Sequence, residues 1–296
     1  MNAKERGFLL LTSQLGDPER KPLTVAQFRA LANRVTQMER PKTSRELTEE
    51  DLVALGYDRS MAQRIVGLLA SDLPLERYLN RGHLRDCFPI SRVSEGYPFA
   101  VRKRLGLDAP GCLWAKGDIS LLDRQTIALV GSRELSRQNS IFAERVGREA
   151  AKQGFVLVSG NARGADKVAQ EACLQNGGSV ICVVADELEK HPIIHNVLYL
   201  SEDSFDLPFS SQRALSRNRI IHTLGYITIV AQCIGETGGT WDGTVKNLRH
   251  RWSPVFTFAD GSPMSVELEQ LGATGIRLDE LSDLSALRSD IEHIVL

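Results

Sequence analysis

Five cysteines are scattered over 296 residues, at Cys87, Cys112, Cys173, Cys182 and Cys233, and no two form a CxxC pair. That spacing supplies neither a zinc ribbon nor a disulfide frame. Cys182 and Cys233 fall in apolar strand-like runs, where a free thiol behaves as a small hydrophobe. No apolar run approaches the roughly 18 residues of a membrane span. Lys4, Glu5 and Arg6 precede only a few apolar residues, which is not a secretory signal. The expectation is a soluble, reduced, cytoplasmic protein. Formal net charge is only -1, so any affinity for nucleic acid must come from a local patch and not a global field. Nucleotide and hydrolase signatures are missing as well: there is no G-x-G-x-x-G after Ile127–Val130, no Walker A lysine loop and no G-x-S-x-G elbow. His191 and His195 stand four apart, but Pro192 lies between them and no third ligand is evident. No metal, cofactor or catalytic residue is expected.

What is present divides into two styles of sequence. Residues 1–107 read as a helical domain of the SAM or helix-hairpin-helix kind. Its apolar residues Phe8–Leu11, then Val25, Phe28, Leu31, Ala32 and Val35, recur at helical spacing. Leu52–Tyr57, a Gly56 turn, Ser60 as N-cap and the run Ala62, Ile65, Val66, Leu68, Leu69 make a helix–turn–helix unit. Such a unit is either a DNA-binding hairpin or a plain packing hairpin, and turn chemistry alone does not separate them.

Composition shifts near Leu107–Gly111, and residues 108–296 alternate apolar strand-length runs with amphipathic helices. Strands are expected at Ile127–Val130, Phe155–Val158, Val180–Val184, Val197–Leu200, Tyr226–Val230 and Val255–Phe258. Helices are expected at about Ser140–Gln153, Asp166–Gln175, Leu215–Leu224 and Thr244–His250. That alternation predicts an α/β, Rossmann-like, doubly wound, mostly parallel sheet preceded by the small N-terminal helical domain. Ligands of such sheets sit beyond the carboxyl ends of the strands. The tail from about Asp279 to Leu296 holds one amphipathic helix at most.

Candidate chemistry gathers at those strand ends. Ser159, Gly160, Asn161, Ala162, Arg163, Gly164, Ala165 and Asp166 follow an apolar strand and open a helix. Backbone N–H groups and a helix N-terminus there favour an anion, and Arg163 adds a planar charged fork. Gly131, Ser132 and Arg133 follow the first strand, and Gly238, Gly239 and Thr240 enter another helix beyond Tyr226–Val230. Convergence of small residues and arginines on one edge points to a phosphate-bearing ligand. Arg213, Arg217, Asn218 and Arg219 lie on a helix whose Ile220, Ile221 and Leu224 are buried, which suggests a phosphate clamp. Phe209 and Trp241 read either as stacking platforms for bases or as core residues.

At these residues the chain resembles the DNA-processing protein A (DprA/Smf) family. The resemblance rests on Val130–Arg133, Ser159–Asp166 and Arg217–Ile221, and extends through Tyr97-Pro98 and Leu113–Asp118. It spans roughly residues 50–260, and no winged-helix domain is read after residue 280. The resemblance implies a non-enzymatic single-stranded DNA-binding protein that helps load a RecA-type recombinase during natural transformation. It also implies a homodimer, with Arg133, Arg163 and Arg217 to Arg219 on backbone phosphates. A competing reading is a nucleotide sensor or an enzyme like the lysine-decarboxylase-like phosphoribohydrolases. Gly238, Gly239, Gly243 and Thr244 partly fit their loop, with Glu236 or Asp242 as acids. A third is an interaction module that merely keeps the fold.

Overall fold

The computed structural model describes residues 1–38, 46–202, 204–235 and 238–287. Its centre is a nine-stranded sheet in the order β1-β2-β6-β5-β4-β3-β7-β8-β9. The strands are β1 (Phe88–Ser91), β2 (Cys112–Gly117), β3 (Thr126–Val130), β4 (Val156–Ser159), β5 (Ser179–Val184), β6 (Val197–Glu202), β7 (Thr228–Val230), β8 (Val255–Phe258) and β9 (Thr274–Ile276). From β6 to β9 every pairing is parallel, whereas β1–β2 and β2–β6 are antiparallel. The chain steps outward from β3 through β4 and β5 to β6, then returns to place β7 on the other side of β3. The crevice outside β3 and β7 is therefore the topological switch point of the sheet.

All six strands expected from the sequence form, within two residues at each end. They read clearly because a parallel strand covered on both faces is apolar throughout. Along β3, Ile127 and Leu129 enter the core on one face while Ala128 and Val130 enter the other. The three strands that escaped the sequence each carry a residue that interrupts the apolar signal. In β1 it is Pro89, tolerated because this strand lies at the sheet edge. In β2 it is Lys116, whose buried stem ends with Nζ donating to the Glu189 carbonyl at 2.9 Å. In β9 it is Gly275.

Helices α7 (Arg137–Lys152), α8 (Ala165–Gln175), α9 (Ser211–Leu224) and α10 (Gly239–His250) flank the sheet, and α11 (Pro263–Gln270) adds a helix not expected. Ser136 caps α7 by accepting the Asn139 N–H, and Phe142, Ala143, Val146 and Ala150 bury its inner face. Phe142 stacks on Phe258 with ring centroids 4.2 Å apart. The opposite face is closed by Ile220, Ile221 and Leu224 of α9. All five cysteines are free and buried.

The N-terminal segment forms α1 (Ala3–Thr12), α2 (Val25–Val35), α3 (Glu49–Ala54), α4 (Arg59–Leu69), α5 (Asp72–His83) and α6 (Phe99–Leu105). Leu11, Leu31, Leu52, Ile65 and Leu69 make a local core, while Phe8, Leu10, Tyr78 and Leu79 join the core of the sheet. The α3–α4 turn differs from expectation in its cap: Asp58, not Ser60, accepts the Met61 N–H. Glu49, Glu50 and Asp51 in the first turn of α3 make the hairpin acidic at that end, which suits packing better than a phosphate backbone. Because β1 and α6 come from before residue 107 and pack with the sheet, we propose the junction between the units at the turn after α5. The C-terminal residues 288–296, where part of the tail helix was expected, lie outside the described residues.

Removing the ring of Phe142, fully buried on α7, is expected to cost about 3–5 kcal/mol in Phe142→Ala. Denaturant unfolding measures it, and a loss below about 1 kcal/mol would mean that this face of the sheet is not packed as described.

Candidate nucleic-acid interface at the strand carboxyl ends

The loop between β4 and α8 is shaped by a buried acid. Asp166, in the first turn of α8, accepts the N–H of Gly160 and the N–H of Ala162 through one oxygen, each at 3.1 Å. Two amides that the sequence offered to a ligand are thus taken by the protein itself. Asn161 turns through a left-handed φ of 56° and Gly164 through 77°. A Cβ on Gly164 would meet the Ser132 carbonyl oxygen at 2.4 Å, so the close approach of the loops requires glycine. Gly160 is needed for another reason: a Cβ there would sit 1.9 Å from the Arg217 guanidinium. With Asp166 satisfied, the N–H groups of Asn161, Arg163 and Gly164 have no acceptor among the described residues, and α8 has no side-chain cap. This helix start is open to an anion.

The loops after β3, β4 and β7 are joined by hydrogen bonds. Ser132 donates its N–H to the Gln232 carbonyl, Ala165 donates to the Ser132 carbonyl, and the Thr240 hydroxyl donates to the Gly131 carbonyl, all within 3.0–3.1 Å. Between them lies a crevice of about 360 Å³ that includes Gly131, Ser132, Arg133, Asp166, Arg217, Asn218, Gly238, Gly239 and Thr240. A shallower groove of about 190 Å³ adjoins it, bordered by Arg133, Gly160, Arg163, Asp186 and Phe209. Ser159 sits just beneath, fully buried, with its hydroxyl accepting from the Gln170 amide. The candidate residues of the three loops therefore share one edge of the sheet.

The α9 arginines do not share it equally. Arg217 is 8% exposed and donates to the Gly160 carbonyl at 3.0 Å and to Asn218 Oδ1 at 3.0 Å. It holds the loop up from below. Asn218 in turn donates to the Gly239 carbonyl, tying α9 to the start of α10. Arg219, two residues on, points to another side of the helix, where it pairs with Glu202 and bonds Ser216. That pairing removes Arg219 from the clamp read in the sequence: residues two apart on a helix do not share a face. Arg213 is likewise committed, donating to the carbonyls of Ala185, Leu207 and Pro208 and to Ser201 Oγ. Arg133 and Arg163 are exposed and, among the described residues, have no carboxylate partner. Phe209 is 53% exposed on the groove, whereas Trp241 packs partly buried against the core.

One residue at this edge carried no signal in the sequence. His222 of α9 borders the crevice from below, its Nδ1 within 3.1 Å of the Asn247 amide and close to Thr228 Oγ1. Asn247 and Thr228 also bond Ser253, so a closed polar network backs the crevice. Burial, reinforced by the nearby Arg217 charge, pushes the imidazole down to about 3. It is neutral at physiological pH. Only the tertiary packing of α9 and α10 on β7 and the turn before β8 brings these four polar residues together. Of the acids considered for an enzyme, Asp242 pairs with Lys246 at 2.8 Å, and Glu236 lies outside the described residues. His191 pairs with Asp186 and stacks on Tyr199.

Residues 89–257, from β1 to β8, match the family model of DNA recombination-mediator protein A. The chain is 39% identical over 106 residues to DNA processing protein DprA of Streptococcus pneumoniae, covering 36% of this chain and 33% of that protein. It is 32% identical over 162 residues to DprA of Bacillus subtilis, covering 51% and 53%. The chain thus spans about half, or less, of those relatives' lengths. Among solved structures, DprA of S. pneumoniae superposes with a TM-score of 0.58 at 25% identity, over 86% of this chain and 95% of that one. DprA of Helicobacter pylori, solved for its single-stranded DNA binding mode, gives 0.57 at 25% identity, over 69% and 96%.

Burial raises the Asp166 carboxyl above the ordinary aspartate value, outweighing the opposing pull of Arg217 and the two loop amides. The folded state therefore holds this proton more tightly than the unfolded chain. The stability it contributes is complete below the unfolded value of about 3.9 and is lost as pH rises through the folded one. An asparagine oxygen accepts the same amides without the charge. Asp166→Asn should gain stability relative to the wild type between about pH 4 and neutrality, followed by urea unfolding at each pH. A difference that moves the other way would make Asp166 an ordinary stabilising carboxylate.

Proposed function

The chain belongs to the DNA recombination-mediator protein A family, and on that premise we propose that it binds single-stranded DNA by its backbone phosphates at the loops after β3 and β4. The observation that carries this reading is the pair of exposed guanidinium groups, Arg133 and Arg163, on one groove beside unpaired backbone amides. Arginine forks and helix-start amides are the usual partners of phosphate oxygens, and neither reads base sequence. Phe209, exposed on the same groove, supplies a face on which one base stacks. Gly131, Gly160 and Gly164 let the loops pack closely, Thr240 ties two of them together, and Ser132, Gly238 and Gly239 border the crevice beside them. Asp166, Arg217 and Asn218 set the loops and do not touch phosphate.

On this reading the protein acts without catalysis. Its role is in DNA processing and recombination, with natural transformation as the setting, a RecA-type recombinase as partner, and a homodimer in the cytoplasm. The nucleotide-sensor and phosphoribohydrolase reading is weaker, since Asp242 is not among the residues lining the crevice and pairs with Lys246 on the helix surface.

The test is a titration of labelled oligo-dT and of a mixed-sequence strand at several salt concentrations. Each contacted phosphate contributes about 0.7 to the slope of log affinity against log salt. Arg133→Ala and Arg163→Ala are each expected to weaken binding roughly tenfold and equally for both strands, and the double variant to lower the slope by about 1.4. Full binding by the double variant, or binding insensitive to salt, would refute the proposed grip.

A further inference from the structure

A cavity of about 890 Å³ lies away from the strand carboxyl ends, where α1 and α2 meet the antiparallel corner of the sheet. It opens to solvent, and its volume is that of a site for a drug-sized molecule. Phe8 of α1 and Phe28 of α2, edge-to-face with centroids 5.0 Å apart, line one side. Leu15, Leu23 and Cys112 extend the apolar surface.

The charged groups bordering this cavity are three arginines and one aspartate. Arg92, in the turn after β1, directs its guanidinium to the carbonyls of Gly106, Leu107 and Ala109. Arg102 of α6 gives one donor to the Ser94 carbonyl. Arg29 stands at the α2 side. Among the described residues none of the three has a carboxylate partner. The acid at the cavity, Asp206, is engaged by Arg81 and by the Ser204 hydroxyl, which also meets the Tyr78 phenol. An apolar chamber bordered by arginines without counter-ions is complementary to a molecule with an oily body and an acidic head.

We propose that this cavity is a binding site for a small amphipathic anion, an apolar body carrying one carboxylate or similar oxyanion. The body lies against Phe8 and Phe28, and the head group meets Arg29 and Arg102, Arg92 being held by its three carbonyls. Because its walls come from both the N-terminal helices and the sheet, the ligand clamps the two together and stabilises the folded chain by mass action.

The test uses the full chain, anilinonaphthalene sulfonate as fluorescent probe, and decanoate and decanol as competitors matched in chain length. One probe molecule should bind per chain, decanoate should displace it at least tenfold better than decanol, and saturating decanoate should raise the unfolding midpoint by roughly 5 °C. Ala32→Trp places a bulky ring over the cavity from an exposed position on α2, so it is expected to abolish probe binding with the unfolding midpoint unchanged. Arg29→Glu, also exposed, should weaken decanoate and leave decanol unaltered. Equal displacement by acid and alcohol would overturn the anionic specificity. Probe binding retained in both variants, or no saturable binding to the wild type, would overturn the site.

Discussion

The structure at the strand ends depends on one buried side-chain oxygen. Asp166 accepts two amides of its own loop while Arg217, nearly as buried, holds the carbonyl of Gly160 from the other side. Removing an acid and a guanidinium from water is costly, and such groups seldom add net stability to a fold. What they add at this position is shape. Asp166 closes the 160–166 turn, Arg217 fixes its height above α9, and the glycines at 160 and 164 are forced by the closeness that results. The amides of Asn161, Arg163 and Gly164 are left without an acceptor among the described residues. Free and committed donors lie within a few residues of each other, and the Asp166 oxygen takes two of them.

The same division separates the arginines. A chain of net charge -1 has no general attraction for a polyanion, so the few unpaired guanidinium groups matter disproportionately. Arg213 is spent on carbonyls, Arg219 on Glu202 and Arg217 on the loop. Arg133 and Arg163 keep their charge for the groove. The committed arginines fix the backbone around the free ones, so the loops that carry Arg133 and Arg163 are held in place while their side chains stay exposed.

Sequence made most of the sheet legible because its strands are buried on both faces and so continuously apolar. It was less informative where a strand carries a proline, a lysine or a glycine for local reasons, as in β1, β2 and β9. At the site, positions were readable and roles were not. Small residues after strands announce close backbone approach, so Gly131, Gly160, Gly164 and Gly239 could be found in advance. Whether an arginine beside them is free or tethered depends on which way it leaves its helix and what waits there. Arg217 and Arg219 look equivalent in one dimension and are tethered to different partners in three, one to the Gly160 loop and the other to Glu202. His222 was invisible for the same reason, since its partners Asn247, Thr228 and Ser253 come from elsewhere in the chain.

The stretch from Ser204 to Phe209 joins the two concave features of the molecule. Ser204, Asp206 and Leu207 border the apolar cavity, and Phe209 borders the groove beside Arg133 and Arg163. Between them Arg213 draws in the carbonyls of Leu207 and Pro208 together with that of Ala185, at the end of β5. These bonds tie the segment to the sheet at its middle. A flexible connection would let each feature adjust alone, whereas this one makes the placement of Phe209 follow from the same frame that shapes the cavity wall. The aromatic face on the groove is therefore held by an internal arginine, and its exposure is a consequence of the fold and not of loop freedom.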